Sequence, residues 1–140
     1  VKTVLQDMQM NSEGVFFIFT SNDIDGFPDP LIDRCDVWAF DLPTLDERKS
    51  IWSIHITKRK RNPKDFDTDK LSASTDGFSG RQIEQVWVKA LTAAFNDGRR
   101  EPKTEDAELV LKQVIPTSVT MKSQIERRRE RLKNRAQCAS

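Results

Sequence analysis

Three polar side chains in this 140-residue chain stand where they could touch a phosphate: Asn22, Arg34 and Arg81. Asn22 directly follows the apolar run Val15-Phe16-Phe17-Ile18-Phe19 and Thr20-Ser21, a position that open α/β sheets place in the crevice outside the carboxyl ends of their strands. An amide there can orient a water and meet a phosphate oxygen without a charge of its own, or it can simply cap the turn through an Asx hydrogen bond. Arg34 lies in the loop before a second apolar run and could act in trans on a neighbour's phosphate, a role worth roughly 10³ to 10⁵ in rate where it operates. Asp33 and Asp36 flank it, so a local ion pair is the alternative. Arg81 sits at a helix N-terminus, whose free N–H groups favour an anion. A cation there has to be explained by a phosphate or by pairing with Glu84 or Glu101. His55 is the sole histidine and, without companions, reads as a core or rim residue. No nucleophile elbow and no spaced set of metal ligands accompanies these residues.

The elements that must hold them follow from periodicity. Val1, Val4, Leu5 and Met8 have helical spacing. Val15–Phe19, β-branched and aromatic and bounded by turn formers, has the pattern of a strand buried on both faces of a parallel sheet. Val37–Phe40 reads as a second short strand, after a loop punctuated by Gly26, Pro28 and Pro30. Beyond Pro43 the period becomes helical. Thr44 with Glu47 makes a capping box opening a helix through about Lys60, whose closing run Lys58-Arg59-Lys60-Arg61 reads as a solvated end. A short helix spans about Thr68 to Ser74. Ser79 with Gln82 makes a second box, Phe78 can staple onto Ile83, and Ile83, Val86, Trp87, Ala90, Leu91 and Ala94 form one stripe that stops at Gly98. Thr104 is expected to cap a further helix with Ala107, Val110, Leu111, Val114 and Ile115 inward, ended by Pro116. From about Val119 a basic tail helix carries Met121, Ile125 and Leu132 among Arg127, Arg128, Arg129, Arg131, Lys133 and Arg135.

Composition bounds the rest. The formal net charge of +1 gives no global argument for nucleic acid or membrane, although the basic tail could bind nucleic acid or an acidic protein. Cys35 and Cys138 form no C-x-x-C pair, which fits a reducing compartment. No apolar stretch approaches the roughly 18 to 20 residues that cross a bilayer. The chain opens on Val1 inside an expected helix, as a fragment of something longer would.

Gly14 to Asn22 resembles the sensor-1 strand of AAA ATPases, Phe40-Asp41-Leu42-Pro43-Thr44 with Glu47-Arg48 resembles their link into the helical lid, and Gly77 to Glu84 is similar to the sensor-2 region. The stretch Ile115-Pro116-Thr117-Ser118-Val119-Thr120-Met121 and the ending Arg135-Ala136 are similar to the AAA protein group encoded as an open reading frame in cyanobacterial and plastid genomes, so the resemblance spans nearly the whole chain. It implies an α/β remnant, the end of a P-loop NTPase-type parallel sheet, over residues 1–43, an all-α helical lid bundle over 44–118, and a basic C-terminal helix or tail over 119–140. Asn22 would be sensor 1 and Arg34 the arginine finger, where many relatives carry two arginines. Asn22, Gly80 and Arg81 would face ATP.

The chain has no G-x-x-x-x-G-K-[ST] loop and no apolar strand ending in an Asp-Glu pair. Hydrolysis by this chain alone is therefore not expected, and ATP with Mg²⁺ belongs to the intact parent. In the sheet that the resemblance implies, a further strand lies between the two expected here, and its absence should leave two exposed sheet edges. The partners implied are the N-terminal half of the module, identical neighbours in a ring and a macromolecular substrate that is remodelled, in the cytoplasm or the plastid stroma and without a membrane.

Overall fold

The computed structural model describes residues 6, 14–21, 26–133 and 136–138. The expected helix over the first ten residues lies outside them apart from Gln6, and so does Asn22. The described residues fall into two compact units, one spanning 41–126 and the other combining residues up to 40 with those from 127 onward.

The 41–126 unit is a helical bundle whose elements start where the sequence supplies caps. The α2 helix (Leu45–Lys58) opens on Thr44, whose backbone N–H donates to Glu47 Oε2 at 2.7 Å while Thr44 Oγ1 accepts from the Glu47 N–H. That hydrogen bond holds the Glu47 carboxyl below its ordinary range. A 3₁₀ turn (Pro63–Asp65) leads to α3 (Thr68–Ala73), capped by Asp67 accepting from the Lys70 N–H at 2.9 Å. The α4 helix (Gly80–Asn96) carries the second capping box and ends before Gly98, which takes a positive φ of 72°. Along it Ile83, Val86, Trp87, Ala90 and Ala94 of the expected stripe are fully buried, Leu91 is partly buried against them, and Phe78 joins them from the position before the cap. Trp52 and Ile56 of α2, Leu71 of α3 and Ala107 of α5 (Thr104–Leu111) complete this core. Phe66 meets Trp87 edge-on at 5.0 Å between centroids, and Trp52 meets it at 6.4 Å.

The start and end of α5 differ from expectation. Thr104 is its first helical residue, not its cap, because the Thr104 hydroxyl accepts from the Asp67 backbone N–H at 3.1 Å. The reach-back comes from Asp106 Oδ2, which accepts from the Lys103 N–H at 2.8 Å. The helix stops at Leu111, five residues before Pro116, so Ile115 is exposed and not inward. After it come the single turn α6 (Thr117–Thr120) and the basic helix α7 (Lys122–Leu132), where Ile125 is buried, Leu132 half-buried and Met121 exposed.

The other unit contains α1 (Asp29–Ile32), β1 (Trp38–Ala39) and β2 (Gln137–Cys138). The strands pair in parallel, Trp38 with Gln137 and Ala39 with Cys138. Strand β2 was not foreseen, since two residues at the end of a basic tail carry no strand signature of their own. The expected strand Val15–Phe19 is not formed: its residues lie outside any sheet and are exposed, Phe16 by 87% and Ile18 by 76%. A strand buried on both faces needs a paired backbone on each side and a cover over each face. Here β1 is two residues long and pairs with β2, so Phe16, Phe17, Ile18 and Phe19 instead line an open groove of about 1000 Å³ with Leu31, Trp38 and Phe40.

Candidate functional site

Of the four residues singled out by the sequence, the structure brings Gly80 and Arg81 together on the first turn of α4, in the 41–126 unit. Arg34 belongs to the other unit, and Asn22 lies outside the described residues.

The start of α4 is fixed by its neighbours before its own chemistry is considered. The Gln82 N–H donates to Ser79 Oγ at 3.3 Å, and the Ser79 N–H reaches Gln82 Oε1 at 3.4 Å. The Ile83 N–H returns to the Ser79 carbonyl, while the amides of Gly80 and Arg81 have no acceptor among the described residues. These are two of the orphan donors that make a helix start electropositive. A methyl group built on Gly80 would meet Ile51 Cδ1 of α2 at 3.6 Å, so apolar surface borders these amides. Next along the same side of α2, His55 places Nδ1 3.7 Å from Glu84 Oε1. The half-buried His55 is the rim residue that its isolation in the sequence indicates, and with Ile51 it adds to the surroundings of the helix start what periodicity alone did not mark as a site.

Both local partners considered for Arg81 are engaged elsewhere. Glu84 is shared by His55 and Lys58, the latter at 3.6 Å, and Glu101 accepts from Arg61 Nε at 3.1 Å. Arg81 is exposed and forms no ion pair among the described residues. Arg34, after α1, is likewise exposed and unpaired with Asp33 or Asp36, its backbone N–H donating to the Leu31 carbonyl at 3.2 Å. The tail cations are partly committed: Arg131 lies 3.9 Å from Asp29, Lys122 4.0 Å from Glu126, and Arg127 and Arg129 also have partners.

Arg48 was visible in the sequence only as part of a linking motif. It is 6% exposed, with Nε donating to the Ser72 carbonyl at 3.0 Å, Nη1 to the Pro43 carbonyl at 2.9 Å, and Asp76 3.2 Å away. It fastens the segment before α2 to the turn that leads into α4. Nothing local announces such a contact, because its partners lie 24 and 28 positions further along the chain. Among the described residues no group of three His, Cys, Asp or Glu could hold a metal ion, and no helix is long and apolar enough to cross a membrane.

Comparison with known proteins adds a family to this geometry. Residues 65–109, from the turn before α3 to within α5, match the AAA+ lid domain. The chain is 35% identical over 116 residues to the uncharacterized AAA domain-containing protein ycf46 of Pyropia yezoensis, covering 80% of this chain and 23% of that protein. It is 36% identical over 126 residues to the protein of the same name from Trieres chinensis, covering 87% and 25%. The ATP-dependent zinc metalloprotease FtsH of Karelsulcia muelleri is 34% identical over 95 residues, covering 66% and 15%. The chain thus spans about a quarter of the length of the first two relatives. These matches bear out the resemblance to AAA domain-containing proteins and to their lid.

Proposed function

From similarity to the AAA+ lid and to AAA domain-containing proteins, we propose that this chain is the sensor and lid end of an ATPase that couples ATP binding and hydrolysis to remodelling of a macromolecule. The observation that carries the proposal is the exposed Arg81 on the first turn of α4, beside two unbonded amides, with Glu84 and Glu101 already paired elsewhere. A cation kept free at an electropositive helix start is accounted for by an anion that both would face.

The fit to ATP is partial. One guanidinium, two amides and the apolar border at Ile51 suit contact with one edge of a nucleotide. They do not cradle a triphosphate, which takes a glycine-rich loop and a lysine that this sequence lacks. In this reading the N-terminal half of the module grips ATP and its Mg²⁺, Asn22 senses the γ-phosphate, Arg34 reaches the ATP of an identical neighbour in a ring, and Arg81 with Gly80 reports nucleotide state to the lid. The domain limits at residues 43 and 118, and a setting in the cytoplasm or plastid stroma, belong to the same proposal. A charged, exposed Arg34 with no ion-pair partner among the described residues suits action in trans. Replacing Arg34 by Ala in the intact parent protein is expected to abolish hydrolysis, by a factor of roughly 10³ or more, while ATP binding persists. Unchanged turnover would remove Arg34 from this role.

The other reading, a basic C-terminal helix that binds nucleic acid or an acidic protein, is less well supported because Arg127, Arg129 and Arg131 already have partners. Phosphate-driven binding must weaken steeply with salt. A titration of the chain with duplex and single-stranded oligonucleotides that finds no binding at low salt would remove it.

A further inference from the structure

The stretch Ile115 to Thr120, which carries much of the sequence resemblance, has no part in the nucleotide reading, yet it lies directly on the first turn of α4. Gln82 is the hub. Its Nε2 donates to the Ile115 carbonyl at 2.9 Å, and its Oε1 accepts from the Thr117 N–H at 2.9 Å and from Thr117 Oγ1 at 2.5 Å. Thr117 Oγ1 also lies 3.3 Å from Ser79 Oγ, and the Ser118 N–H donates to the Gly77 carbonyl at 2.9 Å. The bonds that attach it are polar, and Ile115 and Val119 on either side of them are exposed.

A carbonyl oxygen offers two lone pairs, and the short contacts to Thr117 take both. The Ser79 N–H is left with a 3.4 Å approach, whereas the corresponding bond in the Thr44–Glu47 box is 2.7 Å. We propose that residues 115–118 are a releasable strap over the start of α4, and that the Gln82 amide alternates between this strap and the helix cap. Docked, the strap holds the helix start through Thr117. Released, it frees Gln82 to close its capping box as tightly as Glu47 closes the other, and exposes the Gly77 turn. A load on α7, which follows almost directly, reaches α4 by this route. The proposal needs glutamine and not glutamate at position 82, because only an amide can both accept from Thr117 and donate to the Ile115 carbonyl. It stands whether or not Arg81 meets a phosphate.

The test is amide hydrogen exchange, resolved by NMR, on the full 140-residue chain without nucleotide. Gln82→Glu keeps an acceptor for the Ser79 N–H but removes the donor to Ile115, and Thr117→Val removes the hydroxyl and leaves the cap intact. In each variant the Thr117 and Ser118 amides are expected to exchange at least about tenfold faster while those of Val86 to Ala90 keep their rates, as local opening requires. Wild-type rates at Thr117 and Ser118 in both variants, or acceleration shared equally by Val86 to Ala90, would overturn the strap.

Discussion

Asp106 shows how much one side chain can organise when its partners converge. Its carboxylate accepts from Arg100 Nη1 and Nη2 at 2.7 Å each and from the Lys103 N–H at 2.8 Å, so one group closes the loop after α4 and starts α5. The Arg100 guanidinium, aided by the Lys103 N–H and opposed by desolvation, holds the Asp106 carboxyl below its ordinary value near 3.8. A depressed folded-state value means that the ionised form is favoured by folding. This stabilisation is therefore complete above the ordinary value and is lost as pH falls through the depressed one. Asp106→Asn is expected to lower the thermal midpoint by roughly 4 °C at pH 7, with the difference from wild type closing as pH falls below the ordinary carboxylate value. Calorimetry across that range checks it. A gap that stays constant with pH would show that the charge plays no part.

At the scale of elements, the caps and stripes were legible because each is a local pattern. Thr44 with Glu47, Ser79 with Gln82 and the buried face from Ile83 to Ala94 need only neighbours within a turn or two, and all stand as read. What the sequence hid depends on distant partners. Thr104 looks like a cap until Asp67 claims its hydroxyl, Arg48 looks like a surface arginine until Pro43, Ser72 and Asp76 surround it, and β2 has no signature apart from the Val37–Ala39 segment it pairs with. Val15–Phe19 is the converse case, a strong strand pattern without the paired neighbours that would make it one. Gly77 marks one such distant junction. It has a φ of +71°, and a methyl group there would come within 2.0 Å of Ser118 Oγ. Gly77→Ala combines backbone strain with a clash and is expected to destabilise the 41–126 unit by about 2 to 4 kcal/mol. Urea unfolding monitored by tryptophan fluorescence measures this, since Trp52 and Trp87 lie in that unit's core. A loss below about 0.5 kcal/mol would mean that the turn gives way freely.

For the whole molecule, the described residues form two units, with Arg34 in one and Gly80 and Arg81 in the other. The lid was readable from sequence because its apolar positions follow one helical period and its core closes on itself. Asn22 lies outside the described residues. The central claim is that the start of α4 faces the nucleotide of an AAA ATPase. The most direct measurement is hydrogen exchange on the full reading frame that contains this chain, with and without a non-hydrolysable ATP analogue and Mg²⁺. The account predicts protection of the Gly80 and Arg81 amides on nucleotide binding, lost in Arg81→Ala. Saturating analogue that protects other segments while leaving residues 79–84 unchanged would contradict it.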